Sequence, residues 1–196
     1  MIATPASARA RPGKVRIIGG EWRRRWLPVG AVDAVRPTPD RVRETLFNWL
    51  QPYLAGARCL DLFAGTGVLG FEAVSRGAAQ ATLVENDAQT AATLRAQVAA
   101  LNTTSVEVLN MDARSYLSAT AARVYDIVFL DPPFDSPLLT ATLSLLEAGW
   151  LHAEALIYIE SARAADAVKL PSGWRMMHAG QTRQIRYGLA RLTFEP

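Results

Sequence analysis

An apolar run from Ala57 to Phe63 ends in the turn Ala64-Gly65-Thr66-Gly67, and a second apolar stretch runs from Val68 to Val74. The run has the length and character of a strand buried on both faces. The stretch after the turn has the character of a helix. Strand, glycine turn and helix in that order bring backbone close to a nucleoside at the carboxyl end of a first parallel strand. A Cβ at Gly65 or Gly67 obstructs both the turn and the ligand's approach. This one stretch commits the chain to an α/β architecture.

The remainder alternates in the same way. Strands are expected at Ala57–Phe63, Ala81–Glu85, Ser105–Leu109, Val124–Leu130 and Ala155–Glu160. Helices are expected at Val68–Ser75, Ala88–Leu101 and Ser136–Ala148, with a short helical turn after Asp112. A final antiparallel pair, Trp174–Ala179 and Gln184–Phe194, closes the series. Alternating β and α with both-face apolar strands implies a doubly wound, mostly parallel sheet of seven strands. The length of 196 residues suits one such domain with a small appendage. No apolar run reaches the ~18 residues of a membrane span. The single cysteine, Cys59, excludes an internal disulfide, and two histidines with no Cys/His cluster give no expectation of a metal site. His152 and His178 are expected in structural or surface roles.

Gly65-Thr66-Gly67-Val68-Leu69-Gly70 fits G-x-G-x-x-G, which admits NAD. Asp61 points elsewhere. It ends the strand four residues before the first glycine, where a dinucleotide site stays apolar to admit pyrophosphate. The second signal is Asp131-Pro132-Pro133-Phe134, just after the strand Val124–Leu130. Together the two motifs resemble the amino-group methyltransferases that use S-adenosyl-L-methionine, whose fold is the Rossmann-like class I methyltransferase fold. That cofactor has no phosphate, and its methionyl ammonium can be held by a carboxylate at Asp61. Glu85, twenty residues after Gly65, ends the next strand and can accept both ribose hydroxyls. Asp112 can accept from the adenine amino group, cap the helix after it, or do both. Phe63, Thr66, Asn86 and Ala113 are expected beside these residues in the cofactor pocket. In the catalytic turn, Asp131 and the Pro132 carbonyl can accept the two hydrogens of an exocyclic amine and aim its lone pair. The proline pair fixes the turn and adds no N–H of its own. Phe134 offers a flat face for the target base.

The charge is uneven. Residues 1–43 hold ten Arg/Lys against three Asp/Glu, whereas the remainder holds eleven against fifteen. A basic end of this kind suits a polyanionic partner, or is a solvated tail. Residues 1–13 are Ala/Pro/Ser/Arg-rich and are expected to be disordered. They have the composition of a transit peptide but no apolar core of a secretory signal. Lys14–Ile18 and Trp22–Val29 read as a hairpin around Gly19-Gly20, carrying Arg16, Arg23, Arg24 and Arg25 with Trp22 and Trp26 interleaved. Trp26 either stacks on bases or covers the inner face of the hairpin. A helix follows, with Thr38 as N-cap, Pro39 at N1 and Asp40 in the first turn. Its buried face is expected to carry Val42, Leu46, Trp49 and Leu50, leaving Arg41 and Arg43 outside it. The division is therefore a tail over 1–13, a basic hairpin and helix over 14–51, and a catalytic domain over 52–196.

Arg16-Ile17-Ile18-Gly19-Gly20, Arg36-Pro37-Thr38 with Asp40-Arg41-Val42-Arg43-Glu44, Leu60 to Gly70 and Asp131 to Phe134 resemble the RsmD family, from about Lys14 to Phe194. Its members are bacterial methyltransferases that modify N2 of one guanine in 16S ribosomal RNA. The resemblance implies S-adenosyl-L-methionine as cofactor, with Gly65, Gly67, Glu85 and Asp112 holding it. It implies that Asp131, Pro132, Pro133 and Phe134 act on the base. It further implies 16S rRNA as partner, as small subunit or assembly intermediate, with Arg16, Arg23, Arg24, Arg25, Arg36, Thr38, Arg41 and Arg43 as its contacts. A monomer acting in the cytoplasm, away from membranes, is expected. Arg24 and Trp26 stand where the resemblance has a small residue and a basic one. Three rivals remain. An adenine-N6 methyltransferase acting on DNA or RNA shares the Asp-Pro-Pro turn, but here no separate target-recognition domain accompanies it. An NAD-dependent oxidoreductase lacks its Tyr-x-x-x-Lys or placed histidine. A non-catalytic RNA-binding relative does not account for an intact Asp131–Phe134 turn.

Overall fold

In the computed structural model the described residues are 13–28, 38–119, 121, 123–134, 136–164 and 168–193. Arg36, Pro37, Val29 and Phe194, and all of 1–12, lie outside them. The chain opens with a two-stranded antiparallel hairpin, β1 (Lys14–Arg16) and β2 (Trp26–Pro28), followed by helix α1 (Asp40–Leu50). Then come β3 (Arg58–Asp61), α2 (Val68–Ser75), β4 (Gln80–Glu85), α3 (Ala88–Leu101), β5 (Val106–Asn110) and α4 (Ala113–Ser118). The series ends with β6 (Tyr125–Leu130), α5 (Leu138–Leu146), β7 (Leu151–Ala162), β8 (Trp174–Gln181) and β9 (Ile185–Leu192). The main sheet has seven strands in the order β5-β4-β3-β6-β7-β9-β8. β3 to β7 pair in parallel, while β9 is antiparallel to both β7 and β8.

This order has one point where the chain reverses its direction of growth. From β3 it proceeds outward through β4 to β5, then crosses back to lay β6 on the other side of β3. Adjacent crossovers then lie on opposite faces, and a crevice opens at the carboxyl ends of β3 and β6. Asp61 ends β3, and Asp131 follows β6 directly.

Both faces of the sheet are buried. Leu156 and Tyr158 of β7 join one apolar cluster with α2, and Ile157 and Ile159 join the other with α4 and α5. Among the described residues, no crossover helix covers β6, β7 and β9 on the α2 face. The N-terminal segment fills that place. Leu46, Phe47 and Leu50 of α1 are fully buried, with Phe47 6.2 Å from Phe129 ring to ring. Trp49 stacks on His178 and Tyr187 at 5.0 and 5.8 Å, which gives His178 a structural partner. Cys59 is buried in β3, where burial first, and then Asp126 and Asp61, push its thiol well up, as an inert core thiol requires.

The hairpin differs from the sequence expectation. Its strands are shorter, and residues 17–25 form a compact turn instead of extending the ladder. Arg24 donates to the Ile17 carbonyl (2.9 Å) from a left-handed backbone, φ 71°. A small residue fits that conformation best, which accounts for the resemblance placing one there. Trp22 is buried edge-on against Phe71 at 6.4 Å, so it belongs to the core and not to a base-stacking surface. Arg23, Arg24 and Arg25 remain exposed.

Arg43 also departs from expectation. It is fully buried, with Nη1 2.9 Å from Glu72, Nη2 2.6 Å from Asp40 and Nε donating to the Thr38 carbonyl at 3.3 Å. Residues 43, 46, 47 and 50 share one helical face, and that face is turned to the core. Arg43 is therefore a structural cation and has no surface to offer RNA. Glu72, itself fully buried, also accepts from the Ile18 and Gly19 amides and from Arg76. One carboxylate on α2 thus seats hairpin and helix together. Ser75 completes the seat, accepting from the Trp22 amide (2.8 Å) and donating to the Gly19 carbonyl (2.6 Å).

Candidate active site

The glycine turn forms as its sequence requires. Gly65 and Gly67 have φ of 51° and 71°, in the left-handed region. A Cβ on Gly67 meets Leu94 and Phe71 side chains within 3 Å, and one on Gly70 meets Leu83 at 2.2 Å. The third glycine therefore lets α2 lie close on β4. Thr66 is buried and its hydroxyl accepts from the Val68 amide at 3.4 Å.

Glu85 and Asp112 flank this turn from the next two strands. Glu85 accepts from the Gly65 amide through one oxygen and from the Asp87 amide through the other, both at 2.8 Å. It holds the glycine turn against the end of β4, and each oxygen keeps a second lone pair for an incoming hydroxyl. Asp112 caps α4, with Oδ1 accepting from the Arg114 and Ser115 amides at 3.0 Å. Those bonds, the Ser115 amide foremost, hold its carboxyl below the ordinary carboxylate range. The capping role falls on Oδ1, which leaves Oδ2 facing Arg114 at 3.5 Å. Asn86 is exposed beside Glu85, Phe63 is half-buried, and Ala113 is buried under Asp112.

Asp61 is almost fully buried, and its Oδ1 has no hydrogen-bond partner within the protein. Burial pushes its carboxyl up to about 7, against hydrogen bonds from the Phe63 and Gly70 amides and with a further push from Glu85. An orphaned carboxylate oxygen is costly unless a cationic N–H group meets it. The residues present therefore fit a ligand with an ammonium at Asp61 and a diol at Glu85, which is the donor set of S-adenosylmethionine.

Across the crevice stands the Asp131 turn. Pro132 is buried, while Pro133 and Phe134 are exposed, Phe134 with 43% of its surface open. Ser136 donates to the Pro133 carbonyl at 2.7 Å and braces the turn. Asp131 is not alone. The buried hydroxyl of Thr38 lies 3.4 Å from Asp131 Oδ2 and 3.3 Å from Glu160 Oε2. Tyr158 donates to the same Glu160 oxygen at 2.8 Å. Thr38 is not the N-cap: Pro39 occupies the cap position and no side-chain cap bond forms there. Thr38 precedes the helix and points its hydroxyl at two strand-end carboxylates.

Sequence reasoning missed Glu160, although a signal existed. Asp61 and Glu85 end their parallel strands, Asp131 directly follows one, and Glu160 lies two residues before the end of β7, so all four are acids at the carboxyl side of apolar runs. Of the expected RNA contacts, Arg16 is partly exposed, 3.6 Å from Asp40 and over the Trp26 ring at 6.0 Å. Arg41 is exposed, and Arg36 lies outside the described residues.

A doubly wound sheet with an antiparallel closing pair, a glycine turn after β3 and acids ending β3 and β4 together define a class I methyltransferase fold. Residues 15–191 match the family model described as Conserved hypothetical protein 95. The chain is 48% identical over 178 residues to Ribosomal RNA small subunit methyltransferase D of Escherichia coli (strain K12), covering 90% of this chain and 89% of that one. It is 43% identical to the Haemophilus influenzae protein of the same name, covering 90% and 93% of the two chains. Among solved structures, a putative methyltransferase, YhhF, from Escherichia coli superposes with a TM-score of 0.86 at 45% identity, over 92% of this chain and 99% of that chain. The chain belongs to the RsmD family.

Proposed function

We propose that the protein transfers a methyl group from S-adenosyl-L-methionine to the exocyclic N2 of a guanine in 16S ribosomal RNA. The observation that carries this is the placement of the Asp131-Pro132 turn at the switch point of the sheet, across from the orphaned Asp61 carboxylate. Support for the substrate comes from relatives named as small-subunit ribosomal RNA methyltransferases and from the exposed arginines of the N-terminal turn.

When bound, the cofactor supplies an electrophilic methyl group on a sulfonium. Asp61 receives its ammonium, Glu85 its ribose hydroxyls, and Oδ2 of Asp112 its adenine amine. A cation beside Asp61 also favours the ionised forms of Asp61 and Asp131. The guanine leaves its stack to reach the crevice, and Phe134 stacks on it. Asp131 and the Pro132 carbonyl would accept the two amine hydrogens and direct the nitrogen lone pair at the methyl group to be transferred. Methyl transfer, with the N–C bond formed as the C–S bond is broken, would place positive charge on the nitrogen, and the hydrogen bond to Asp131 would strengthen as that charge grew. Asp131 then takes one proton, leaving neutral N2-methylguanine. Positioning and electrostatics supply most of such an acceleration.

The substrate is 16S rRNA in a small subunit or its precursor, the place of action is the bacterial cytoplasm, and the protein works as a monomer. The test is methyl transfer from labelled cofactor to rRNA and to DNA, followed by nucleoside analysis. N2-methylguanine in rRNA is the expected product. N6-methyladenine in either polymer overturns the reading in favour of the adenine-directed enzymes that share this turn.

A further inference from the structure

We propose that Thr38 and Glu160 are positioning residues for Asp131: the Thr38 hydroxyl fixes its direction, and the Glu160 charge strengthens it as a proton acceptor. This rests on the reading of Asp131 as the amine's acceptor. The geometry is asymmetric. Thr38 has a single hydroxyl hydrogen between two carboxylate oxygens at 3.4 and 3.3 Å. Glu160 keeps a second donor, Tyr158, at 2.8 Å, so Thr38 can turn to Asp131 without stranding Glu160. Thr38 is itself fixed, since its carbonyl accepts from buried Arg43. The hydroxyl therefore approaches Asp131 from one rigid direction and occupies Oδ2, which leaves Oδ1 for the amine.

The groups facing Asp131 explain what Glu160 adds. From β3 there is Asp61; from β7, Glu160 and Tyr158; from β9, Tyr187 behind Tyr158; from α1, Arg43, whose charge is taken up by Asp40 and Glu72. Burial, then Glu160, then Asp61 push the Asp131 carboxyl well above its ordinary range, and the Thr38 hydrogen bond pulls it down. A like charge held nearby makes a carboxylate a stronger base, and a stronger base accepts a proton more readily from a nitrogen turning cationic. Thr38 opposes that push and favours the ionised form of Asp131. Both residues thus act on one quantity, in opposite senses.

The opposition makes the test sharp. Single-turnover methylation of rRNA is measured against pH for wild type, E160Q, T38V and T38S. Loss of the Glu160 charge moves the acidic limb to lower pH, by about one unit, with a lower plateau. Loss of the Thr38 hydroxyl moves the limb to higher pH, and T38S, which restores the hydroxyl, brings it back. A carbon-13 NMR titration of the Asp131 carboxyl in the free protein reads the same displacements without substrate, and thermal melting checks that each variant folds. An unmoved limb in E160Q, or a shift of the same sign in E160Q and T38V, overturns the proposal. A wild-type protein that leaves rRNA unmethylated sinks the parent reading instead, and the NMR titration still decides whether Glu160 and Thr38 act oppositely on Asp131.

Discussion

Asp61 is the residue on which the proposed cofactor capture and protein stability meet. Its carboxyl, raised to about 7 in the fold by burial, ordinarily titrates near 3.8. A group raised in this sense contributes stability in full below its ordinary value and loses it as pH rises through about 7. Asp131 and Glu160, also raised, act in the same direction, whereas Asp87 and Asp112, lowered by the helices they cap, lose stability as pH falls. The ligand-free protein should therefore lose melting temperature from about pH 5 to pH 8, and Asp61→Asn should flatten part of that slope. Cofactor binding near pH 6 should release protons, detected by titration calorimetry in buffers of different ionisation enthalpy. An Asp61→Asn variant with the wild-type slope and proton release contradicts this account. At the catalytic turn, Asp131→Ala should slow single-turnover methylation about 10²–10³-fold, the cost of one preorganised electrostatic partner. Cofactor affinity should stay within a few-fold. Phe134→Ala should instead weaken RNA capture, since a stacking face is worth about 1–3 kcal/mol. A fully active Asp131→Ala enzyme excludes amine activation by this residue. The glycine turn and the positions of Asp61, Glu85 and Asp131 at strand ends were legible in the sequence because each is fixed by its own strand and turn. The Thr38–Glu160 contact was not, because it joins residues 122 apart that only the folded sheet brings together.

At the scale of elements, α1 shows how a pattern can be read correctly and still be placed wrongly. Its apolar positions identify an amphipathic helix, and Val42, Leu46 and Leu50 are buried as expected, but the buried face also takes in Arg43 and Phe47 and leaves Trp49 half-buried. A sequence reading assigns an arginine to solvent because a buried guanidinium is costly. Here the cost is met by Glu72, an acid 29 residues away on α2, together with Asp40. Nothing local to α1 announces that partner. Arg43→Ala leaves Glu72 buried beside fewer donors and should destabilise the fold by about 3–5 kcal/mol. Lysine at this position should not rescue it fully, since it lacks the planar fork that reaches both carboxylates. Arg41→Ala, on the exposed side of the same helix, should change stability by no more than about 0.5 kcal/mol. Denaturant unfolding of the three variants makes the comparison. Equal small effects at positions 41 and 43 would show that the Glu72 hub does not hold α1.

For the whole molecule, alternation predicted seven strands and their types, and the antiparallel closing pair was expected from two consecutive strands without a helix between them. The strand order and the missing cover on one face were not readable from periodicity, because both depend on which side of β3 the chain lays β6. The basic N-terminal segment fills that face, so its arginines divide into two populations. Arg43 is consumed inside, whereas Arg23, Arg24 and Arg25 project from a turn seated on Glu72 and Ser75 of α2. Ser75 ends an eight-residue helix that starts at the glycine turn. At 1.5 Å per residue the basic turn lies about 12 Å from the cofactor turn, and RNA reaching both must span that distance. Arginines so far from the crevice can hold phosphates without touching the reacting base. Replacing Arg23, Arg24 and Arg25 together with alanine should therefore weaken RNA binding and flatten its salt dependence, by roughly 0.7–0.9 in logarithmic slope for each phosphate they neutralise. Cofactor affinity should not move, because the Glu72 and Ser75 bonds to this turn come from backbone groups that the substitution leaves in place. The methylation rate at saturating RNA should stay near wild type, placing the defect in capture and not in chemistry. Filter binding across a salt series, with single-turnover rates at high RNA, separates the two. A triple variant with the wild-type salt slope would mean that these arginines face only solvent and that the polyanion is held elsewhere on the molecule.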